Sequence, residues 1–375
     1  MVPPKDPLSR ARLRRRMGCA LVAGLALLGL IAGELLTRAL APVNPLSEHA
    51  LYQEDPDLGW RLRPGHRHTG PNGEQVAINS HGLRDPERPR EKAPGTRRVV
   101  VLGDSFTFGS AIAAEDGFCR QLEGLLGTGV EVINAGVPRY STIQEAGWLE
   151  REGLAWQPDA LVVAFFVGND VWENLTGTGG AALRVRDGEL VQAVHTERGF
   201  WRRLRNRSHL YRLLKRLPSL LGDRLRGEDP LEREYHQLEA ERMALCLRDE
   251  GASWAEGWEQ TRAALARIRH LAGALPVVLL VVPDEFQVDE GLRAAVCRRQ
   301  RLDPQAYDLL RPQRRLAELA AANGFELVDP LPELQRRTGA GERLYLPLDS
   351  HWNRAGNQVA AEALARTRTL SALRR

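Results

Sequence analysis

Four short segments of the sequence carry side chains that together suit the chemistry of ester bonds. They are GDSF at 103–106, NAG at 134–136, GND at 168–170 and DSHW at 349–352. Acyl transfer requires a nucleophile, a base, a carboxylate that orients the base, and donors that stabilise a negative oxygen. The four segments supply all of these groups and therefore predict acyl-transfer chemistry at one site.

Ser105 is the predicted nucleophile, because it lies on a predicted strand-to-helix turn that exposes its hydroxyl. A serine hydroxyl needs a neighbouring base, and His351 supplies one. Asp349 comes two residues earlier, where it can fix the tautomer of the imidazole and stabilise its charged form. We predict Ser105, His351 and Asp349 as the catalytic residues.

Three donors are candidates for the oxyanion hole: the N–H of Ser105, the N–H of Gly136 and the side-chain amide of Asn169. A glycine at 136 suits a close approach of the backbone to a substrate. Asp104 and Asp170 are interpreted as residues that tie the surrounding loops together.

The elements that must position these residues are indicated by five apolar runs rich in β-branched residues. Runs without polar alternation are typical of strands buried on both faces of a parallel sheet. They are Arg98–Leu102, Val130–Ile133, Ala160–Phe166, Val277–Val282 and Phe325–Val328. Helices are predicted at Gly117–Leu126, Thr142–Trp156, Leu231–Leu271, Gln305–Asn323 and Asn353–Arg368. The alternation predicts a three-layer α/β/α sandwich with a parallel sheet, whose ligands bind at the carboxyl ends of the strands.

The order of segments indicates where this domain begins and what interrupts it. Residues 42–96 are predicted to form an irregular lead-in segment with short strands near Gly59–Arg63 and Gln75–Asn79, and residues 97–372 to form the main domain. A largely helical insertion of about a hundred residues, at about 177–271, separates the third and fourth strands. Its basic stretch at 198–216 is interpreted either as a solvated helical face or as a cap that touches anionic lipid or an acidic polymer.

The ordered set of GDSF, NAG, GND and D-x-H-W resembles the SGNH/GDSL hydrolase superfamily over roughly residues 97–370. The resemblance implies a flavodoxin-like sandwich with five parallel strands. It also implies Ser105 as nucleophile, Gly136 and Asn169 in the oxyanion hole, His351 as base and Asp349 as its partner. The expected enzyme is a serine esterase that works through an acyl-enzyme without metal or cofactor.

The spacing of the acid and the base departs from the pattern of many family members. They have D-x-x-H, whereas position 348 here is Leu and the spacing is D-x-H. D-x-H-W also resembles the triads of polysaccharide O-acetyltransferases, although those tend to place this block before the serine. A transferase that uses the same triad therefore remains an alternative, and a non-catalytic glycan-binding or assembly module is a second one.

The N-terminus indicates export of the domain. A basic tail at 1–16 precedes an uncharged run that starts at Met17, and we predict a transmembrane helix or signal anchor at 17–40 with a cytoplasmic N-terminus. Cleavage of a signal peptide after Ala41 is the alternative. The domain would then face the periplasm in a Gram-negative bacterium, where Cys246 and Cys297 are able to pair and an O-acetylated carbohydrate or other acylated molecule is the expected substrate.

Composition argues against two other kinds of site. The 52 Lys and Arg against 48 Asp and Glu give a net charge of +4, and much of the excess lies near the N-terminus and at 198–226, so no nucleic-acid partner is expected. The four cysteines form no CxxC motif, and the histidines at 66, 68 and 81 lack carboxylates at suitable spacing, so no metal is expected.

Overall fold

The protein is described by a computed structural model over residues 7–40, 50–176, 182–186, 188–193, 229–249 and 251–374, with residues 208, 210, 211 and 214. Contacts divide the chain into two compact units, residues 1–45 with 196–230 and residues 46–195 with 231–375. Apart from those four single positions, the basic stretch at 198–216 lies outside the described residues, and both interpretations of it stay open.

The first unit contains one long helix, α1 (Pro7–Leu40), which includes the apolar run predicted to span a membrane. Near its end Glu34 pairs with Arg38 at 2.9 Å and accepts hydrogen bonds from Ser208 Oγ (2.8 Å) and the Leu210 N–H (3.0 Å). No helix in the described part of the chain is long and apolar enough to cross a membrane. The helix predicted at 17–40 is thus present, but its prediction as a membrane span is not supported, and charged side chains stand at both ends of the apolar run.

The remaining described residues form thirteen strands and twelve α-helices. The strands are β1 (Tyr52–Asp55), β2 (Gly59–Leu62), β3 (Arg67–Thr69), β4 (Gln75–Ala77), β5 (Arg97–Leu102), β6 (Val130–Asn134), β7 (Ala160–Phe166), β8 (Ala182–Arg186), β9 (Glu189–Ala193), β10 (Val277–Val282), β11 (Glu326–Val328), β12 (Tyr345–Leu346) and β13 (Asp349–Trp352). The helices are α2 (Ser105–Phe108), α3 (Phe118–Leu126), α4 (Thr142–Arg151), α5 (Asp170–Thr176), α6 (Pro230–Met243), α7 (Ala252–Ala272), α8 (Glu285–Val288), α9 (Glu290–Gln300), α10 (Arg311–Asn323), α11 (Leu331–Gly339), α12 (Arg354–Ala365) and α13 (Arg368–Ser371).

The centre of the fold is a five-stranded parallel sheet in the order β11-β10-β7-β5-β6. This order is that of flavodoxin-like doubly wound sheets, in which the chain switches direction between the first and third strands. All five strands lie within a residue or two of the predicted runs. Each run carries apolar side chains on both faces, and a sheet that is covered on both sides removes all of them from water. The predicted parallel sheet is confirmed.

Helices cover both faces of this sheet and make three layers. Side chains alternate along β5, so Val100 and Leu102 pack on one side while Val99 and Val101 pack on the other. The first side is covered by α4, α7 and α10, and the second by α3, α11 and α12. Each of the two helical layers therefore covers one face of the sheet with the apolar sides of its helices.

The lead-in segment is part of the sandwich. Its strands form two antiparallel hairpins, β1–β2 and β3–β4, and Leu51, Leu62 and Leu83 join the same core as α4 and α7. Arg84 is 2% exposed and donates to the carbonyls of Phe108 (3.2 Å) and Ile112 (2.7 Å), and also to that of Gly109. The segment that precedes the domain in sequence therefore supports the turn that follows α2.

The prediction of one long helix over Leu231–Leu271 is wrong. The chain leaves the helix after Met243 and re-enters it at Ala252, with Gly251 at the start of α7 in extended conformation. Between them Leu247 pairs with Tyr307 in an isolated bridge. The apolar pattern continues across the break because both helices are packed, and α7, placed in the predicted insertion, covers the sheet. Cys246 and Cys297 lie in one small apolar cluster, where both thiols are free.

Candidate active site

Ser105 begins a one-turn helix at the carboxyl end of β5, an inner strand of the sheet. Asp104 caps this helix by accepting the Phe106 N–H at 2.9 Å, and its side chain is fully buried. The helix ends at Gly109, whose φ of +80° is a conformation that glycine adopts without strain. The hydroxyl of Ser105 is thereby presented at the first turn of α2 while the rest of the turn is buried.

Asp349 and His351 lie on β13, a short strand that pairs with β12 in an antiparallel hairpin. Successive side chains of a strand point to opposite faces, so residues two apart share one face. Ser350 and Trp352 point inward and are buried, and Asp349 and His351 point to the other face. The D-x-H spacing thus places the carboxylate beside the imidazole without any helical turn between them.

The hydrogen bonds of His351 join Asp349 to Ser105. Asp349 Oδ1 lies 2.5 Å from Nδ1 of His351 and also accepts the backbone N–H of His351 at 3.0 Å. On the other side of the ring, Nε2 lies 2.8 Å from Oγ of Ser105. The structure therefore brings together the three predicted catalytic side chains in the order carboxylate, imidazole, hydroxyl.

Burial by itself raises the pKa of the Asp349 carboxyl, but the hydrogen bond and charge of His351 outweigh burial and the pKa lies below its ordinary value. The ionised form of Asp349 is therefore favoured at neutral pH. An ionised carboxylate at Nδ1 keeps the proton on that nitrogen and leaves Nε2 free to accept one from Ser105.

A cluster of aromatic rings packs beneath the ring of His351. The Phe106 ring is 5.0 Å from the His351 ring, 4.5 Å from the Phe166 ring and 5.1 Å from that of Trp352, measured between centroids. Trp352 is 1% exposed, so it packs beneath the loop. The His351 ring thus packs on one side against the ring of Phe106.

Gly136 lies against the nucleophile helix. A Cβ at this position would stand 2.3 Å from the backbone N of Phe108 and 2.6 Å from the carbonyl carbon of Thr107, so only glycine fits. Its N–H donates to Oδ1 of Asn134 at 3.0 Å. The structure thus places Gly136 at the site, with its N–H engaged by a neighbouring side chain in this state.

Asn169 follows β7 and reaches the same place from the other side. Its Nδ2 is 3.3 Å from Oδ2 of Asp104, the residue before the nucleophile. Asp170, next in the chain, accepts hydrogen bonds from the Thr142 N–H and hydroxyl and from the Phe166 N–H, as expected of a residue that ties loops together. One N–H of the Asn169 amide remains for a ligand, because an amide nitrogen carries two.

Two residues beside the site were not predicted from the sequence. Asp284 is fully buried two residues after β10, and Arg242 comes from α6. Asp284 could have been found by inspecting the carboxyl end of the fourth strand as well as the first three. Arg242 has no such signal. The described residues also contain no group of three or more His, Cys, Asp or Glu side chains arranged to hold a metal ion.

The parallel sheet carries a serine, a histidine and an aspartate at its carboxyl edge, which is the arrangement expected of an SGNH-type hydrolase. The model of the GDSL-like lipase/acylhydrolase family matches residues 101–359, and the chain belongs to this family. It is an ester hydrolase of the SGNH type, as the sequence motifs predicted.

No curated protein sequence matches the chain. Solved structures do align with it, three of them over most of their own length. A variant of Axe2, an acetyl-xylooligosaccharide esterase of Geobacillus stearothermophilus, aligns with 14% identity over 74% of this chain and 95% of its own, with a TM-score of 0.40. The acetyl xylan esterase AlAXEase aligns with 15% identity over 71% and 97%, with a TM-score of 0.40. A lipase/acylhydrolase of Enterococcus faecalis aligns with 17% identity over 72% and 94%, with a TM-score of 0.39.

Proposed function

We propose that the protein is a serine esterase that hydrolyses an O-acetyl or other short-chain ester through an acyl-enzyme on Ser105. The observation that carries this proposal is the pair of contacts at His351, 2.5 Å to Asp349 and 2.8 Å to Ser105. Distances of this size are those of a base within reach of the proton that it abstracts.

In the acylation half-reaction, Oγ of Ser105 attacks the ester carbonyl carbon while its proton moves to Nε2 of His351. The tetrahedral intermediate collapses when the bond to the alcohol oxygen breaks and His351 returns the proton to that oxygen. Asp349 stabilises the charged imidazolium between these two transfers. The alcohol leaves and the acyl group stays on Ser105.

In the deacylation half-reaction, water replaces the alcohol. His351 takes a proton from the water as its oxygen attacks the acyl carbon, and gives that proton to Oγ of Ser105 when the carboxylic acid leaves. The negative oxygen of both intermediates is assigned to the Ser105 N–H, the Asn169 amide and the Gly136 N–H. The last of these must turn from Asn134 Oδ1 to the substrate, which makes Ser105 N–H and Asn169 the donors that are ready in the free enzyme.

The decisive experiment compares the full-length protein with Ser105→Ala and with the control Ser371→Ala, which lies at the end of α13. 4-Nitrophenyl acetate is the substrate, and a fluorophosphonate probe reports the nucleophile. We expect wild type and the control to release nitrophenol and to be labelled, and Ser105→Ala to do neither. Activity in Ser105→Ala equal to that of wild type would exclude the proposal. Unlabelled wild-type protein that passes the acetyl group of 4-nitrophenyl acetate from Ser105 to a sugar hydroxyl faster than to water would instead establish a transferase.

We propose an acylated carbohydrate as the natural substrate class. Support comes from Trp172, which lies three residues after Asn169 in the first turn of α5 and is 49% exposed. The centroid of its ring lies 5.7 Å from that of Trp254, so a flat apolar face is held in place at the start of α5. Such faces suit the apolar faces of sugar rings. Trp172→Ala should raise KM for an acetylated oligosaccharide and leave KM for 4-nitrophenyl acetate unchanged, and equal changes for both substrates would refute the assignment.

Export of the catalytic unit is a further part of the proposal, and its support is the basic tail and uncharged run at the N-terminus. An alkaline phosphatase fusion at the C-terminus should be active in a Gram-negative host and should lose activity when residues 17–33 are deleted. The mass of the exported protein separates a retained anchor from cleavage after Ala41. An inactive phosphatase fusion would place the domain in the cytoplasm.

A further inference from the structure

Arg242, in the last turn of α6, reaches the strand that carries Asp349 and His351. Its Nη1 donates a hydrogen bond to Oγ of Ser350 at 2.5 Å. Ser350 stands between Asp349 and His351 in sequence and is 4% exposed. The guanidinium therefore holds the buried side of the same strand whose other side presents the carboxylate and the imidazole.

Two carboxyl groups fix the guanidinium of Arg242 in this place. Oε1 of Glu239, one turn earlier in α6, lies 3.3 Å from Nη1, and Oδ2 of Asp284 lies 3.6 Å from it. The ring of Phe166 packs 5.2 Å from the guanidinium carbon. Arg242 thus connects α6, the carboxyl end of β10 and β13, with 16% of its side chain exposed. A cation that is this buried keeps one geometry, because leaving its partners would strand a charge.

The carboxyl groups of Glu239 and Asp284 are both buried where they face the Arg242 guanidinium. Burial raises the pKa of both groups, and the neighbouring Asp284 raises that of Glu239 further. Tyr235, also on α6, donates to Glu285 and completes the contacts between α6 and the end of β10. The Arg242 guanidinium is thus held between α6 and the end of β10 by buried carboxyl groups.

The strand β13 is anchored at its end by the buried Trp352, but its pairing is short and irregular. Among the described strands it pairs with the two-residue strand β12, and the register between them shifts between Tyr345 and Leu346. Leu348, the residue before Asp349, has a φ of +53°, which is unfavourable for a branched side chain. Catalytic side chains must be held within about 0.5 Å of their productive positions. A short hairpin with an irregular register and a strained turn does not by itself hold Asp349 and His351 to that precision.

We propose that Arg242 is a positioning residue, which fixes β13 through Ser350 so that His351 stays within reach of Ser105. The inference rests on the proposed function of Ser105 and His351. A second effect accompanies the first. The charge of Arg242 adds to that of His351 in lowering the pKa of Asp349 against the effect of burial.

The test uses the full-length protein with Arg242→Met, Arg242→Lys and Ser350→Ala. The matched control is Arg248→Met, which removes a guanidinium that contacts the Gln305 carbonyl, away from the site. The readouts on 4-nitrophenyl acetate are kcat, KM, the pH profile of kcat/KM, and recovery of activity on addition of guanidinium chloride at millimolar concentration. Thermal unfolding of each variant is measured alongside.

Loss of a charge-assisted hydrogen bond should lower kcat of Arg242→Met about 10- to 100-fold, with KM changed less than about threefold. The acidic limb of its kcat/KM profile should move to higher pH, because loss of the positive charge of Arg242 raises the pKa of Asp349. Guanidinium should restore part of the activity. The kcat of Arg242→Lys should lie between those of Arg242→Met and wild type. Its ammonium group keeps the positive charge but lacks the planar set of donors of a guanidinium. Ser350→Ala should lower kcat without moving the limb.

Wild-type kcat and pH profile in folded Arg242→Met would overturn the positioning role while the Ser105-dependent activity of the wild type stands. If Arg242→Met does not fold, wild-type kcat in both Ser350→Ala and Arg242→Lys would overturn it. Wild-type protein without Ser105-dependent turnover would overturn the proposed function and this inference together.

Discussion

Nε2 of His351 lies 2.8 Å from Oγ of Ser105, although 246 positions separate the two residues in the chain. Ser105 follows β5, the first strand of the central sheet in chain order, and His351 comes after β11, the last one. Carboxyl ends of parallel strands meet at one edge, so a short hairpin added after the fifth strand returns to the place where the first one ended. The contact is therefore a product of the sheet order.

Asp349→Asn should lower kcat by up to about 10⁴-fold, because an amide at this position favours the wrong tautomer of His351. KM should change little, since the substrate does not contact Asp349. Initial rates on 4-nitrophenyl acetate measure both constants. Asp116→Asn, at a surface ion pair with Arg354, is the control and should behave as wild type. A wild-type kcat in Asp349→Asn would mean that another acid serves His351.

Asn169→Ala should lower kcat about 10²- to 10³-fold, because it removes one side-chain donor to the oxyanion. The free energy of unfolding should change by less than that loss implies, since the only described bond of the amide is a long one to Asp104. Steady-state kinetics and urea titration give the two quantities. Asn323→Ala, at the end of α10, is the matched control. A loss in Asn169→Ala that appears only in KM would contradict the assignment.

Gly136→Ala should destabilise the fold by about 1–3 kcal/mol, because the added Cβ would meet backbone atoms of α2 that have no room to move. Gly124→Ala is its counterpart. Gly124 lies in α3 with nothing within 4 Å of an added Cβ, and alanine there should stabilise by about 0.5–1 kcal/mol. Chemical denaturation measures both variants. Equal stability of the two would show that the contact at Gly136 is not tight.

Arg84→Met should destabilise the protein by about 3 kcal/mol, because it leaves carbonyls of Phe108, Gly109 and Ile112 without their buried donor. Arg67→Met, on the exposed strand β3, should have no measurable effect. Urea unfolding curves compare the two. If Arg84→Met unfolds at the same urea concentration as wild type, the lead-in segment does not support the nucleophile turn.

Glu145 makes stability depend on pH. Burial, and then the charges of Asp170, Asp104 and Glu173, raise its pKa well above the ordinary 4.5, and both its oxygens are buried without a hydrogen-bond partner among the described residues. Between pH 4.5 and that raised pKa the native state holds a proton that the unfolded chain lacks, so stability falls as pH rises.

Glu145→Gln replaces the titrating carboxyl group by an amide. The Tm of this variant should therefore fall less than that of wild type as the pH rises from 5 to 9. Differential scanning calorimetry across that range measures the difference. Glu115→Gln, in the exposed turn before α3, is the control. Parallel curves for wild type and Glu145→Gln would show that Glu145 is ionised in the native state.

Sequence by itself determined the five strands of the central sheet, the helices α3, α4, α10 and α12 to within a few residues, and the three side chains that meet at the site. A run such as Val277–Val282 has one favourable environment, the middle of a covered sheet, so its conformation is fixed by its own composition. Ser105, His351 and Asp349 were recognisable because a nucleophile, a base and an acid have few chemical substitutes.

Tertiary structure alone decided the rest. The break between Met243 and Ala252 depends on a bridge from Leu247 to Tyr307, and apolar periodicity carries no trace of a partner sixty positions away in sequence. Arg242 donates to a residue 108 positions along the chain, and a basic side chain in a charged helix looks the same whether it ends in water or under an active site. Its environment, and hence its role, exists only once the helix has packed.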